Sequence, residues 1–234
     1  MRKLLSIIIL SFMLSGCDVL SKLPTGTSGG ITELEAGEGI KEALSQGLVK
    51  AVLKLNKEDG FFKDALYKVL LPPDARKIEN TLRDLGMNKM VDKAILAINR
   101  AAEDASGYAK PIFVDAIKSM TLNDAIGLVR NGDTSATHFF RVKTTDRLIE
   151  AFLPVIKSSL DKVDATKYYS DIVNTYNNFP TTIKKINPDL PSFVTTKATD
   201  ALFDLVAKEE MNIRQNIAAR TTDLLRKVFG GGIK

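Results

Sequence analysis

Apolar residues recur every three to four positions along almost the whole chain from Ile40 onward, the spacing of one helical face. Ile40, Leu44, Leu48, Ala51, Val52 and Leu55 predict a first helix of about five turns. Asp59 is placed to cap a short helix carrying Phe61, Phe62, Leu66 and Val69, which Pro72 ends, and Pro73 suits the first turn of the next. That next helix presents Ile78, Leu82 and Leu85 and stops at Gly86. Asn88 then opens a longer one with the face Val91, Ala94, Ile95, Ile98, Ala101, Ala102 and Ala105. So many alanines on one face predict a neighbouring helix at short distance. Pro111 breaks or kinks the run before IFVDAIKSM continues it, and Thr121 to Asp124 has the form of a capping box with Asp replacing Glu.

The second half repeats the pattern. A long helical region spans residues 134–163, interrupted near Thr144 and Thr145 and kinked at Pro154. Asp164 caps a segment with Tyr169, Ile172, Val173 and Tyr176 on one face, and NFPTTIKKINPDLP is the longest irregular stretch. Helical spacing resumes through Phe193, Ala201, Leu202, Leu205, Val206 and Ile213, and a last helix covers Thr221 to Val228. No alternating run is long enough for a sheet. LYKVLLP comes nearest and is ambiguous. The expected fold is all-α: one bundle-like domain over residues 40–230 with about eight to ten helices, then a flexible tail at 231–234.

The N-terminus reads differently. Arg2 and Lys3 precede the apolar run Leu4 to Leu14, which is shorter than the roughly 20 residues a membrane span requires. Cations, a short apolar stretch and small residues at its end describe an export signal over residues 1–16. Leu14-Ser15-Gly16-Cys17 resembles the lipobox of bacterial lipoproteins. The resemblance implies cleavage before Cys17, a diacylglycerol on its sulfur and an acylated amine, enough chains for stable anchoring. Asp18 resembles the enterobacterial signal for retention in the inner membrane. The expected location is therefore the cell envelope, on the periplasmic face of the inner membrane or in the outer membrane. Residues 17–39, with LPTGTSGG and ELEAGEG, read as a lipidated flexible tether. GTSGG lacks the strand before it and the Lys-Ser/Thr after it that a phosphate loop needs.

Charge excludes more than it assigns. The formal net charge is +5, and loss of Arg2 and Lys3 with the signal leaves about +3, too little to argue for nucleic acid. Cys17 is the only cysteine, so the domain is held by packing alone.

Several stretches together, IKEALSQGLVKAV, LNKEDGFF, INRAAEDA, MTLNDA, FFRVKTTDRL, FLPVI, KEEMNIR and RTTDLLRKVFG, resemble an uncharacterised family of bacterial envelope proteins, domain-of-unknown-function family 4197. The resemblance covers about Ile40 to Gly230. It implies an all-helical domain behind a lipoprotein or secretory signal, and it brings no activity, cofactor or site residues.

The residues themselves offer little chemistry. With Cys17 lipidated and His138 the only histidine, a His/Cys metal site is impossible. Asp200 and Asp204 lie four apart, but Lys197 and Lys208 share their spacing, which describes a solvated charged stripe. His138, before two phenylalanines, reads as a partly buried packing residue. No metal, cofactor or catalytic residue is expected. What stands out is a set of polar residues set into apolar faces: Asn99, Arg100 and Glu103, then Asp124, Arg141, Glu210, Arg214 and Arg220. Buried charge must be paired. These residues therefore pair locally at helix edges, form an internal network, or floor a pocket. Tyr168, Tyr169, Tyr176 and Phe179 make an aromatic face that suits core packing, a membrane interface or an apolar pocket. The leading expectation is a non-catalytic, lipid-anchored module that binds another envelope protein or sits beside the membrane. The alternatives are an amphiphile binder whose ligand is held by Arg100 or Arg141, and a hydrolase using Glu103 or Glu210.

Overall fold

Thr32 starts the first helix, α1 (Glu33–Leu55), by a reciprocal cap. Its hydroxyl accepts the Glu35 N–H at 3.2 Å and the Glu35 carboxylate accepts the Thr32 N–H at 3.0 Å. Residues 33–39, expected in the tether, therefore form the first turns of α1. Gly37 and Gly39 read as linker because glycine is a poor helix former. Here they are contact sites. A Cβ at Gly37 would stand 2.5 Å from Leu122, and one at Gly39 2.5 Å from Val228, so both glycines let neighbouring helices close on α1. The computed structural model describes residues 32–130, 132, 134–178, 180 and 182–230. Cys17, Asp18, the signal segment, Phe179 and the 231–234 tail lie outside these residues.

Glu35 also takes a charged hydrogen bond from Lys227, across to the last helix. With Lys227 and Thr32 stabilising its anion, the Glu35 carboxyl is held down from 4.5 to about 2. A carboxyl depressed in the folded state contributes stability above its unfolded value and loses it as pH falls through the folded one. The start of α1 and its seam with the last helix are therefore expected to loosen between pH 4.5 and about 2. Amide exchange at residues 32–36 should accelerate across that window, and Glu35→Gln should abolish the dependence.

The remaining helices, among the described residues, are α2 (Arg76–Asp84), α3 (Asn88–Ser106), α4 (Ala109–Ser119), α5 (Leu122–Arg130), α6 (Ser135–Asp161), α7 (Ala165–Asn177), α8 (Leu190–Gln215) and α9 (Asp223–Gly230). The described residues are all-α and form one compact unit. α6 and α8 pack on each other, α3 lies against both, and α1 is held between α4, α5, α8 and α9. The alanine face is the reason α3 sits so close: Ala101, Ala102 and Ala105 are fully buried and α6 is its main neighbour. At the centre Phe113 meets Phe140 and Phe203 edge-to-face, with centroids 6.1 and 5.9 Å apart.

Departures from the expected elements have local causes. Residues 56–72 form turns and an extended run instead of a short helix, and Asp59 adopts a left-handed φ of 65°. α6 runs unbroken through Thr144 and Thr145, whose hydroxyls donate back to the carbonyls of Phe140 and Arg141. Pro154 lies inside it. Pro111 falls within the opening turn of α4, where its missing N–H costs nothing. Asp164 sits at the N-cap of α7 but at φ 55°, with no side-chain cap bond.

Two polar clamps and an apolar cavity

The polar residues gather in two separate clusters, and each ties an element that lacks partners of its own. The first holds the irregular run 56–72 against α3. Asn99, fully buried, copies a strand neighbour: its Oδ1 accepts the Val69 N–H at 2.8 Å and its Nδ2 donates to the Val69 carbonyl at 2.8 Å. One turn on, the Glu103 carboxylate accepts the Phe61 and Phe62 N–H groups at 3.0 and 3.1 Å. Its other oxygen receives Arg100 at 2.6 Å, and Arg100 also reaches Asp59 at 2.8 Å. Asn56 completes the clamp by donating to the Glu103 carbonyl at 2.8 Å.

The second cluster joins α8 to the ends of α5 and α6. Thr134 occupies the N-cap of α6 without a side-chain bond, so the helix begins with free N–H groups. Glu210, arriving from α8, supplies the missing acceptor. It takes the Ala136 N–H at 3.2 Å, the Thr137 N–H at 2.8 Å and the Thr137 hydroxyl at 2.7 Å. Arg214 forks onto Glu210 at 3.0 and 2.8 Å and donates to the Leu128 carbonyl at 2.9 Å. Arg220 closes the far end of α8, donating to the carbonyls of Ile213 and Arg214 at 3.0 and 2.8 Å.

Asp124 and Arg141 belong to neither cluster. Asp124 caps α5 in reciprocal bonds with Thr121. These bonds hold its carboxyl below the ordinary range. Arg141 lies over the Phe203 ring and pairs with Asp200 at 3.1 Å, both charges largely in solvent. Asp204 is bonded to Lys208 at 2.6 Å and to the Tyr67 hydroxyl at 2.7 Å. His138 is exposed, contrary to the packing role expected of it. Among the described residues no group of three or more His, Cys, Asp or Glu is placed to hold a metal ion, and no helix is long and apolar enough to cross a membrane.

A cavity of about 260 Å³ lies between α2, α3 and α7, away from both clamps. α2 forms its outer wall: no residue of that helix is buried, while Ile78 and Leu82 turn toward the hollow. α3 contributes Met90, Val91 and Ala94, and α7 contributes Tyr168, Tyr169, Ile172 and Val173. Tyr169 is buried there with its hydroxyl donating to the Asn187 carbonyl at 3.3 Å, and burial, then the charge of Asp74, pushes its phenol up to about 12. It is therefore neutral at any physiological pH. Lys93 is the only charged side chain in the lining, and among the described residues it has no ion-pair partner. Neither Arg100 nor Arg141, the cations expected to hold a ligand, reaches this space. The expected aromatic face supplies Tyr168 and Tyr169. The sequence reading passed over Lys93 and Met90 and took Ala94 for a residue of close helix packing. Their signal was a small residue, Ala94, on a helix flanked by two amphipathic neighbours.

The fold and these contacts define an all-helical module braced by internal polar clamps around an apolar interhelical cavity. Residues 30–230 match the family described as protein of unknown function, DUF4197, and the chain belongs to that family. No curated protein and no solved structure matches it.

Proposed function

We propose that this is an envelope lipoprotein, anchored through Cys17, whose helical domain binds an apolar or amphiphilic small molecule and performs no catalysis. The observation that carries the reading is the cavity. Its volume lies just below the roughly 300–1,000 Å³ of typical small-molecule sites, and its wall is apolar apart from the polar tips of Lys93, Tyr168 and Tyr169. A small molecule suits it better than a partner protein, because the space is concave and too narrow for a helix about 10 Å across. The two buried carboxylates support the non-catalytic part. Glu103 and Glu210 belong to clusters with no residue in common, and all four of their oxygens are engaged by fixed donors. Acid–base catalysis needs groups within hydrogen-bond reach of one another or of substrate.

Protein recovered from a bacterial envelope and sprayed under native conditions should carry an additional non-covalent mass. Ala94→Phe places a ring in the cavity and should release that mass while helicity and melting temperature hold. No additional mass on the unsubstituted protein, or a bound mass retained by Ala94→Phe, would count against the cavity as the site.

A further inference from the structure

The mouth of the cavity is apolar beyond the lining itself. The turn joining α2 to α3 lies between Leu82 and Met90, both in the wall, and it leaves Leu85 71% and Met87 40% exposed. The turn joining α6 to α7 contributes Val163, and the first turn of α7 contributes Tyr168, both in the wall, with Tyr168 54% exposed. Four large apolar side chains are thus exposed where α2 meets α3 and where α6 meets α7, two junctions whose flanking residues Leu82, Met90, Val163 and Tyr168 line the same cavity. Scattered single residues of this kind are ordinary; a cluster rimming a cavity is the pattern of an interaction site. The α2–α3 turn is fixed in this shape, since Gly86 takes a φ of 81° and the Met87 N–H closes back on the Leu82 carbonyl at 2.9 Å.

Charge around the mouth is balanced. Asp84, Asp92, Asp161 and Asp164 are exposed in or next to these turns, as are Lys89, Lys93, Lys162 and Lys167, so attraction to an anionic surface does not dominate. What remains is apolar area with a phenol at its edge, the composition that settles at a bilayer interface. In the wall, exposed Lys93, which has no ion-pair partner among the described residues, is the one charged group available to select the head of a ligand.

We propose that the mouth is a membrane-contacting lip, formed by Leu85, Met87, Val163 and Tyr168, through which a single alkyl chain bearing an anionic head group passes from a bilayer into the cavity. This rests on the amphiphile-binding reading and names its ligand class and its source. At about 260 Å³ the space is small for a ligand site, which favours one alkyl chain over two. Lys93 then pairs with the carboxylate or phosphate at the chain's end.

The protein has no tryptophan, so a single introduced indole reports its own surroundings. Full-length chains carrying Leu85→Trp, Met87→Trp or Tyr168→Trp would each be mixed with phosphatidylcholine vesicles whose acyl chains are brominated, a quencher of indole emission. Ile217→Trp is the control, since Ile217 is also 71% exposed but lies outside the cavity wall. A second arm titrates Tyr168→Trp with a free single-chain brominated carboxylate and with the matching neutral alcohol. The expected result is loss of roughly half or more of the emission at all three lip positions and little at the control. The carboxylate should bind about two- to fivefold tighter than the alcohol, a preference that Lys93→Gln removes. Quenching by free carboxylate without quenching at Leu85 and Met87 by vesicles would overturn the lip and leave the amphiphile reading standing. Absence of quenching by free carboxylate would overturn both. Equal quenching at Ile217→Trp would overturn the lip by showing unspecific adsorption.

Discussion

Glu210→Ala is expected to cost about 4 kcal/mol of stability, the largest loss of any single substitution outside the aromatic core. The carboxylate serves three elements at once. Removing it strands two backbone N–H groups and a hydroxyl at the start of α6, each worth about 1–3 kcal/mol when buried and unpaired. It also leaves Arg214, whose side chain is 11% exposed, without its counter-ion. For a domain of this size the melting temperature should fall by about 8–16 °C. Glu210→Gln keeps part of the acceptor capacity and should lose less. Replacing the pair together, Glu210→Leu with Arg214→Met, should cost clearly less than the sum of the two single changes, because no isolated charge remains. Denaturant melts of the unsubstituted protein, Glu210→Leu, Arg214→Met and the double variant check this. Additive losses would mean that the two side chains act independently.

The second large effect is expected at Glu103, and there the two partners should differ sharply. Glu103→Ala removes the acceptor for the Phe61 and Phe62 N–H groups and should cost about 3 kcal/mol. Arg100→Ala should cost only about 1 kcal/mol, because the guanidinium is 34% exposed and water compensates for much of what it loses. The asymmetry distinguishes a carboxylate that organises backbone from one that merely balances a charge. Equal losses for the two substitutions would contradict the clamp. Glu103→Ala should also speed amide exchange at residues 61–69, since Asn99 would then be the only clamp side chain bonded to that part of the run.

Helical periodicity made much of this architecture legible before any coordinates, since apolar faces on α1, α3, α6 and α8 are long enough to be unambiguous. It failed where a residue serves a contact instead of its own element. Gly37 and Gly39 looked like linker because the helices that press on them, α5 and α9, lie far along the chain. The short helix expected after Asp59 does not form, because its backbone is satisfied by Asn99 and Glu103 from α3, which no local pattern announces. The polar residues set into apolar faces were visible, and the i, i+4 spacing of Glu210 and Arg214 already paired them. Which backbone groups they bind was not visible, because those partners lie 73 and 86 residues away for Thr137 and Leu128. The cavity was half legible. Tyr168 and Tyr169 marked one wall, while nothing in the pattern singled out Lys93.

The amphiphile-binding reading stands or falls with occupancy of the space between α2, α3 and α7. Methyl resonances of Met90, Ala94 and Ile172, followed while decanoate is added to the protein, report on that space directly. Saturable shifts at these three, with Ala101 and Ala102 at the α3–α6 seam unmoved, are the result this account predicts. Unmoved cavity methyls at saturating decanoate, or equal shifts across the whole core, would contradict it.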